Sequence, residues 1–326
     1  MRSTTAKVYI DFTEEPDRFL PEGPRWLTIG GRPALVWVNI QVAADAADGD
    51  IHMHFPGTDG ANDAGVGCPG RPGFLLACAE EGQALVGVDK DLRLVDLAEG
   101  LWSEPLATIP DDNPRTIMND AEVVPGGKAV VFGTKDTQFD AGAKLAHLYL
   151  YTVDDNRISV LADKQVCSNG KVFASDERGL ILFDIDTPTR KVVRYRLDVA
   201  ARTATPDGTA VDLANESGLP DGMCDCGDGT VIVAFYNPDF AEAGRAVRFS
   251  LTTGEAVEEW LTPGSPRVTC PLLVKRPDGV KLVLTTATEG MPAEMRAKCP
   301  NAGSLFIANT QLGDCPAPEV VRLPNP

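Results

Sequence analysis

Histidine is nearly missing from this chain: its 326 residues hold three, at positions 52, 54 and 147. No G-x-S-x-G elbow accompanies them, so a serine nucleophile worked by a histidine base has no support. Basic residues are short as well. Thirty Lys and Arg stand against 47 Asp and Glu, a net charge of −17. Such a surface repels phosphate backbones and anionic membranes, which argues against nucleic acid and membrane as partners. No apolar run approaches the ~18 residues of a membrane span. The opening residues Met1–Phe12 show neither the apolar core nor the cleavage site of a signal peptide, so the expected location is cytoplasmic. No glycine-rich loop opens a helix to cradle a phosphate. Long amphipathic helices are lacking too, and Pro292–Lys298 reads as one or two helical turns.

What the chain has in quantity is short β-runs between turn residues. Lys7–Phe12, Ala34–Ile40, Gly73–Ala79, Ala129–Gly133, Leu180–Ile185, Thr230–Phe235 and Lys281–Thr286 are examples. Asp-Gly at 207–208, 228–229 and 278–279 and Gly-Gly at 126–127 mark turns. This cadence predicts an all-β fold of repeated small sheets.

Four short motifs set the period. They are Pro21-Glu22-Gly23-Pro24, Met118-Asn119-Asp120, Ser168-Asn169-Gly170 and Pro220-Asp221-Gly222. Glu22, Asn119, Asn169 and Asp221 are separated by 97, 50 and 52 residues, so one step recurs and the first gap is two steps. A strand-rich repeat of roughly 40–50 residues predicts a β-propeller, and six blades of about 54 residues fill the chain. Equivalent positions of successive blades converge on the central channel. One Glu, two Asn and one Asp should therefore meet at one end of the axis, an oxygen-only set suited to a hard divalent cation.

The expected organisation is a single propeller domain over 1–326, with the N-terminal strand closing the last blade. Lys7–Phe12 and Glu319–Leu323 are the strands expected to close the ring. Asp111–Arg115, Asp136–Lys144, Asn237–Gly244 and Glu289–Asn301 read as insertions. The eight cysteines are scattered and read mostly as buried, reduced thiols, with Cys299–Cys315 the alternative disulfide.

In order along the chain, these segments resemble the SMP-30/gluconolactonase/regucalcin family. Leu20-Pro21-Glu22-Gly23-Pro24-Arg25-Trp26 with Val36-Trp37-Val38-Asn39-Ile40 is similar to its first-blade signature. Asn119-Asp120 with Phe132-Gly133-Thr134, Ser168-Asn169-Gly170 with Asp186-Thr187-Pro188, Pro220-Asp221-Gly222-Met223, and Arg267-Val268-Thr269 with Thr285-Thr286-Ala287 follow. The resemblance implies a six-bladed propeller with one divalent cation at the channel mouth. It carries metal-ligand positions onto Glu22, Asn169 and Asp221, and a substrate-contacting amide onto Asn119. It implies hydrolysis of sugar-acid lactones, with calcium the leading ion and magnesium, manganese or zinc as alternatives. There are departures: Ile117 stands where the family has an arginine, leaving Arg115 two residues earlier as the candidate substrate cation. Ala121 replaces the glycine of the Asn-Asp-Gly motif, and Asn39 replaces an aspartate.

A lactone is an ester held cis, so hydrolysis needs carbonyl polarisation and an activated water, both of which a divalent ion supplies. The resemblance points to Asp221 as the general base; the residues alone do not separate it from Glu22. Two alternatives stand: a broad metal-dependent esterase or organophosphate hydrolase, and a non-catalytic calcium-binding protein. The expected partner is a small lactone, and the protein is expected to be a monomer or homodimer.

Each candidate has a plainer reading. Glu22 could be a turn residue, and Asn169-Gly170 and Asp221-Gly222 are common type I′ turn pairs; their shared phase favours function. Asp120 reads as bracing a turn. His52 and His54 alternate on one face of an expected strand, either as metal ligands or as solvated or satisfied residues. Cys224 and Cys226 are either a zinc or redox pair or small core residues. Arg115 and Arg267 either reach substrate or form surface salt bridges. Trp26 and Trp37 read as core, and Tyr236 and Asn237 as mouth-lining.

Overall fold

A computed structural model describes residues 1–57 and 63–324. Six antiparallel sheets follow one another along the chain, each of four principal strands running outward from the axis. Each innermost strand touches the next and the last touches the first, which closes a six-bladed β-propeller. The innermost strands begin at Pro21, Pro72, Thr116, Ser168, Leu219 and Val268, at intervals of 44 to 52 residues.

The second strand of each blade is the most apolar because neighbouring blades cover both of its faces. In the first blade Val36, Val38 and Ile40 pack with Leu75, Val86 and Val88 of the second. Leu35 and Trp37, pointing the other way, pack with Val274, Val283 and Leu305 of the sixth. Each such side chain contributes about 1.5–3 kcal/mol on leaving water. Trp26 packs at the edge of this second cluster.

The N-terminus occupies two blade edges. Lys7–Ile10 is the outer strand of the sixth blade, antiparallel to Leu305–Asn309. Arg2–Thr5 adds a parallel fifth strand to the fifth blade, against Ala256–Pro263. The C-terminal segment departs from expectation. Glu319–Leu323 does not join the last blade, whose outer edge Lys7–Ile10 already holds. Instead Val321 bridges Cys78 of the second blade, and the Arg322 N–H donates to the Gly127 carbonyl. Burial of Val321 in the core between blades two and three holds the tail there.

The four expected insertions are connections except at Asp136, Ala243 and Gly244, which belong to strands, and all fall at the end of the ring where the innermost strands begin. The fourth contains the short helix Ala293–Arg296, preceded by Pro292. All eight cysteines are free, Cys299 and Cys315 included. Among the described residues, no helix is long and apolar enough to cross a membrane.

Candidate metal and active site

Every innermost strand breaks register near its start. The breaks fall between Glu22 and Arg25, Pro72 and Phe74, Met118 and Asp120, Asn169 and Lys171, Pro220 and Met223, and Val268 and Pro271. A β-bulge turns a side chain out of the pleat, and here it turns residues toward the axis. The glycines of the motifs serve this geometry. Gly170 has φ +41, and a Cβ on it would lie 2.9 Å from the Asp221 carbonyl oxygen. A Cβ on Gly222 would meet the Cys270 sulfur at 2.6 Å and the Thr269 carbonyl at 2.8 Å. The pairs Asn169-Gly170 and Asp221-Gly222 are thus bulges inside strands, not hairpin turns.

The four residues singled out by their period line one cavity of about 290 Å³ at the channel mouth. Leu20, Ile40, Lys135, Thr187, Tyr236 and Glu289 also line it. A chain of hydrogen bonds fixes the amides. Asn119 Nδ2 donates to Asn169 Oδ1 at 2.8 Å and to the Ser168 carbonyl at 3.0 Å. Asn169 Nδ2 donates to Thr187 Oγ1 at 2.9 Å, and that hydroxyl donates to the Pro220 carbonyl at 2.9 Å. Blades three, four and five are tied together through this chain.

The carboxylates are treated differently. Glu22 accepts from the Gly23 N–H at 3.0 Å, and Asp221 is buried. Burial pushes the Glu22 carboxyl up to about 8, with the Asp120 charge adding to the rise and the Gly23 N–H and Lys135 opposing it. Asp221 is raised well above its usual range by burial, then by Glu22 and Asp120. Two buried carboxylates, of which Glu22 raises Asp221, stand beside amide oxygens and form a donor set that fits a hard divalent cation. Asp120 Oδ1 accepts from the Ala121 N–H at 2.7 Å, bracing its own bulge.

The remaining candidates separate. Arg115 is not among the lining residues; its guanidinium is taken up by Asp136, at 3.0 Å from Nε, with Asp140 beside it. Ile117 and Met118 are buried in the cores between blades, not on the cavity wall. Replacing an arginine by Ile117 therefore lays no apolar surface against a ligand. Arg267 is buried and donates to the carbonyls of Glu289, Pro238 and Gly290, which pins two mouth loops. Tyr236 lines the cavity and its hydroxyl donates to the Glu289 carbonyl at 2.7 Å; Asn237 is not a lining residue. Cys224 lies on a different cavity at the base of the channel, and Cys226 lies in the core between blades five and six.

Lys135 and Glu289 were missed by sequence reasoning. Lys135 lies near the end of the second strand of the third blade, Ala129–Asp136, and Glu289 follows the second strand of the sixth, Gly279–Thr286; neither sits in a repeated motif. Asn39 also gains a reason. Its Oδ1 accepts from the Leu20 N–H and its Nδ2 donates to the Pro16 carbonyl, each at 2.8 Å. An aspartate could not make the second bond.

A family model described as the SMP-30/gluconolactonase/LRE-like region matches residues 20–288. The chain belongs to this family. Among relatives, a regucalcin of Xenopus laevis is 27% identical over 62% of this chain and 64% of its own length. The match thus spans a little under two thirds of that relative. A Bacillus subtilis protein named as a sugar lactone lactonase is 29% identical over 71% of this chain and 77% of its own. The fold is shared with a regucalcin of Agrobacterium tumefaciens, described as calcium-binding, at TM-score 0.79 and 21% identity over 99% of this chain and 100% of that one. A gluconolactonase of Xanthomonas campestris has TM-score 0.61 and 14% identity over 93% and 88%.

Proposed function

We propose that this protein is a metal-dependent lactonase acting on sugar-acid lactones. The observation that carries the reading is the meeting of Glu22 and Asp221, from blades one and five, with Asn119 and Asn169 at one small cavity. The relatives named as lactonases agree with it.

Glu22, Asn169 and Asp221 would hold the cation, with the Thr187 hydroxyl keeping the Asn169 amide in place. When bound, a divalent cation polarises the lactone carbonyl and makes a nearby water more acidic. The carboxylate of Asp221 accepts the proton of the attacking water. The water oxygen forms its bond to the carbonyl carbon, the ring C–O bond breaks, and the departing oxygen is protonated to leave an open hydroxy acid. Asn119 presents an amide to the substrate. Leu20 and Ile40 furnish apolar wall, and Lys135 supplies a positive charge on the lining.

The test is hydrolysis of a panel of γ- and δ-lactones by metal-stripped protein, repeated after adding calcium, magnesium, manganese or zinc. Turnover that appears only with metal supports the reading. Metal binding without turnover on lactones or simple esters sinks it in favour of a cation-binding role, which the relatives named regucalcin favour.

A further inference from the structure

A second group of metal-ligating side chains lies away from the central cavity. One ligand atom each from Asp17, Asp50 and His52 falls within 4.8 Å of the others. None of the three lines the mouth cavity. Asp50 and His52 are two apart on the third strand of the first blade, Asp50–His54, and so share a face. The second strand, where Val38 pairs with both Glu22 and Ile51, separates them from the innermost one. Asp17 comes from the turn Pro16–Arg18 that leads into Pro21. Asn39 holds that turn over the blade through the Pro16 carbonyl.

Among the described residues, the one ion-pair contact these groups make is that of His52 with Asp50. His52 Nε2 is buried without a hydrogen-bond partner and stands 3.6 Å from Asp50 Oδ2. Neither carboxylate accepts a hydrogen bond from a described residue. The ring is already oriented. It stacks on Trp37 at 5.4 Å with a 7° interplanar angle, and Phe12 packs at 6.0 Å. A buried imidazole nitrogen with no partner is costly unless something binds it. His54 takes no part: its ring meets Tyr9 edge-on at 5.4 Å.

We propose that Asp17, Asp50 and His52 form a second divalent-cation site, distinct from the central one and suited to a later first-row ion such as Zn²⁺ or Co²⁺. One imidazole and two carboxylates with open positions left for water match those ions better than calcium, which takes oxygen alone. Its occupant staples the turn that precedes Glu22 onto the first blade.

Full-length, metal-stripped protein is titrated with Co²⁺ and followed by proton NMR. The expected result is two equivalents bound, with a hyperfine-shifted, exchangeable imidazole N–H line from one of them. That line should vanish in His52→Phe, which keeps the stack on Trp37, and persist in Asp221→Ala, which removes the central site. Asp17→Asn, outside the sheet, should weaken this site at least ~10-fold and shrink the rise in melting temperature caused by Zn²⁺. A wild-type titration without the imidazole line overturns the proposal. So does a line that survives His52→Phe, or a second equivalent that shows thiolate-to-cobalt absorption instead. None of these outcomes bears on lactone turnover, so this site and the proposed activity stand or fall separately.

Discussion

Toward the mouth of the channel Glu22 and Asp221 face one cavity, and no Lys or Arg is ion-paired to either among the described residues. Toward the base Arg25 pairs with Glu122 at 3.3 Å and donates to the carbonyls of Leu75 and Ala121. Near it Lys171 is sealed against Asp184 at 3.4 Å, with both side chains essentially without exposure. The base opens on the larger cavity, about 720 Å³ against 290 Å³ at the mouth. Size favours the base as a ligand site, whereas charge favours the mouth. At the base Arg25 and Lys171 find partners within the protein: Arg25 ties the first blade to the second and third, and Lys171 pairs within the fourth. At the mouth Glu22 and Asp221 lack a cationic partner and Glu22 raises Asp221, a pattern by which binding and catalytic groups are recognised.

The sharpest way to break this contrast is to neutralise the mouth. Asp221→Asn should abolish tight binding of the central cation and lower lactone turnover by ~10³-fold or more, since it removes both ligand and base. Calorimetric titration and initial rates check both. Undiminished turnover would remove Asp221 from the site.

Neutralising the base should act on stability instead. Lys171→Met leaves the buried Asp184 without its counter-charge, held only by the Gln165 amide at 2.8 Å and the Ser168 hydroxyl, at an expected cost of about 3–5 kcal/mol. Adding Asp184→Leu should restore most of it, because the unpaired charge is gone. Denaturant titration of both variants decides the matter, and an equal loss in the two would mean that the pair contributes packing rather than charge.

A smaller effect is expected from the support of the amides. Thr187→Val leaves Asn169 Nδ2 and the Pro220 carbonyl without their shared hydroxyl. Cation affinity should fall about 10–100-fold while the fold persists. Calorimetry alongside circular dichroism tests this; unchanged affinity would show that the bulge alone positions Asn169.

The smallest expected effect is a pH trend of opposite sign in two places. Glu22 holds its proton more tightly folded than unfolded, so metal-free protein should lose stability as pH rises from 4.5 through about 8. Bound cation should flatten the trend. Asp136 behaves in reverse: burial alone would raise it, but Arg115 and the N–H groups of Gln138 and Asp140 hold it below its usual value. Its contribution is present above the unfolded pKa and is lost as pH falls through the folded one. Melting curves from pH 4 to 9, with and without Ca²⁺, test the first. Arg115→Met should remove part of the acid-side loss.

The second strands were legible because both faces are buried, which writes them as continuous apolar runs such as Ala34–Ile40. Apart from Gly73–Ala79 in the second blade, the innermost strands were not read as strands. Their bulges, glycines and polar residues, as in Ser168-Asn169-Gly170, look like turns when only local pattern is weighed. Lys135 was invisible for a different reason: it lies near the end of an ordinary strand and gains meaning only from the carboxylates of other blades.

The sequence by itself determined the repeat and hence the ring, because a strand-rich unit recurring about every 50 residues has to be buried blade against blade. It also determined that Glu22, Asn119, Asn169 and Asp221 share one phase and therefore one end of the axis. Only the tertiary structure decided that Arg115 is taken up by Asp136 and that Ile117 turns into the core. It alone placed the C-terminal tail under blades two and three, and brought Asp17 to Asp50 and His52. These outcomes depend on which charges and edges become neighbours once the ring closes, and no local pattern carries that information.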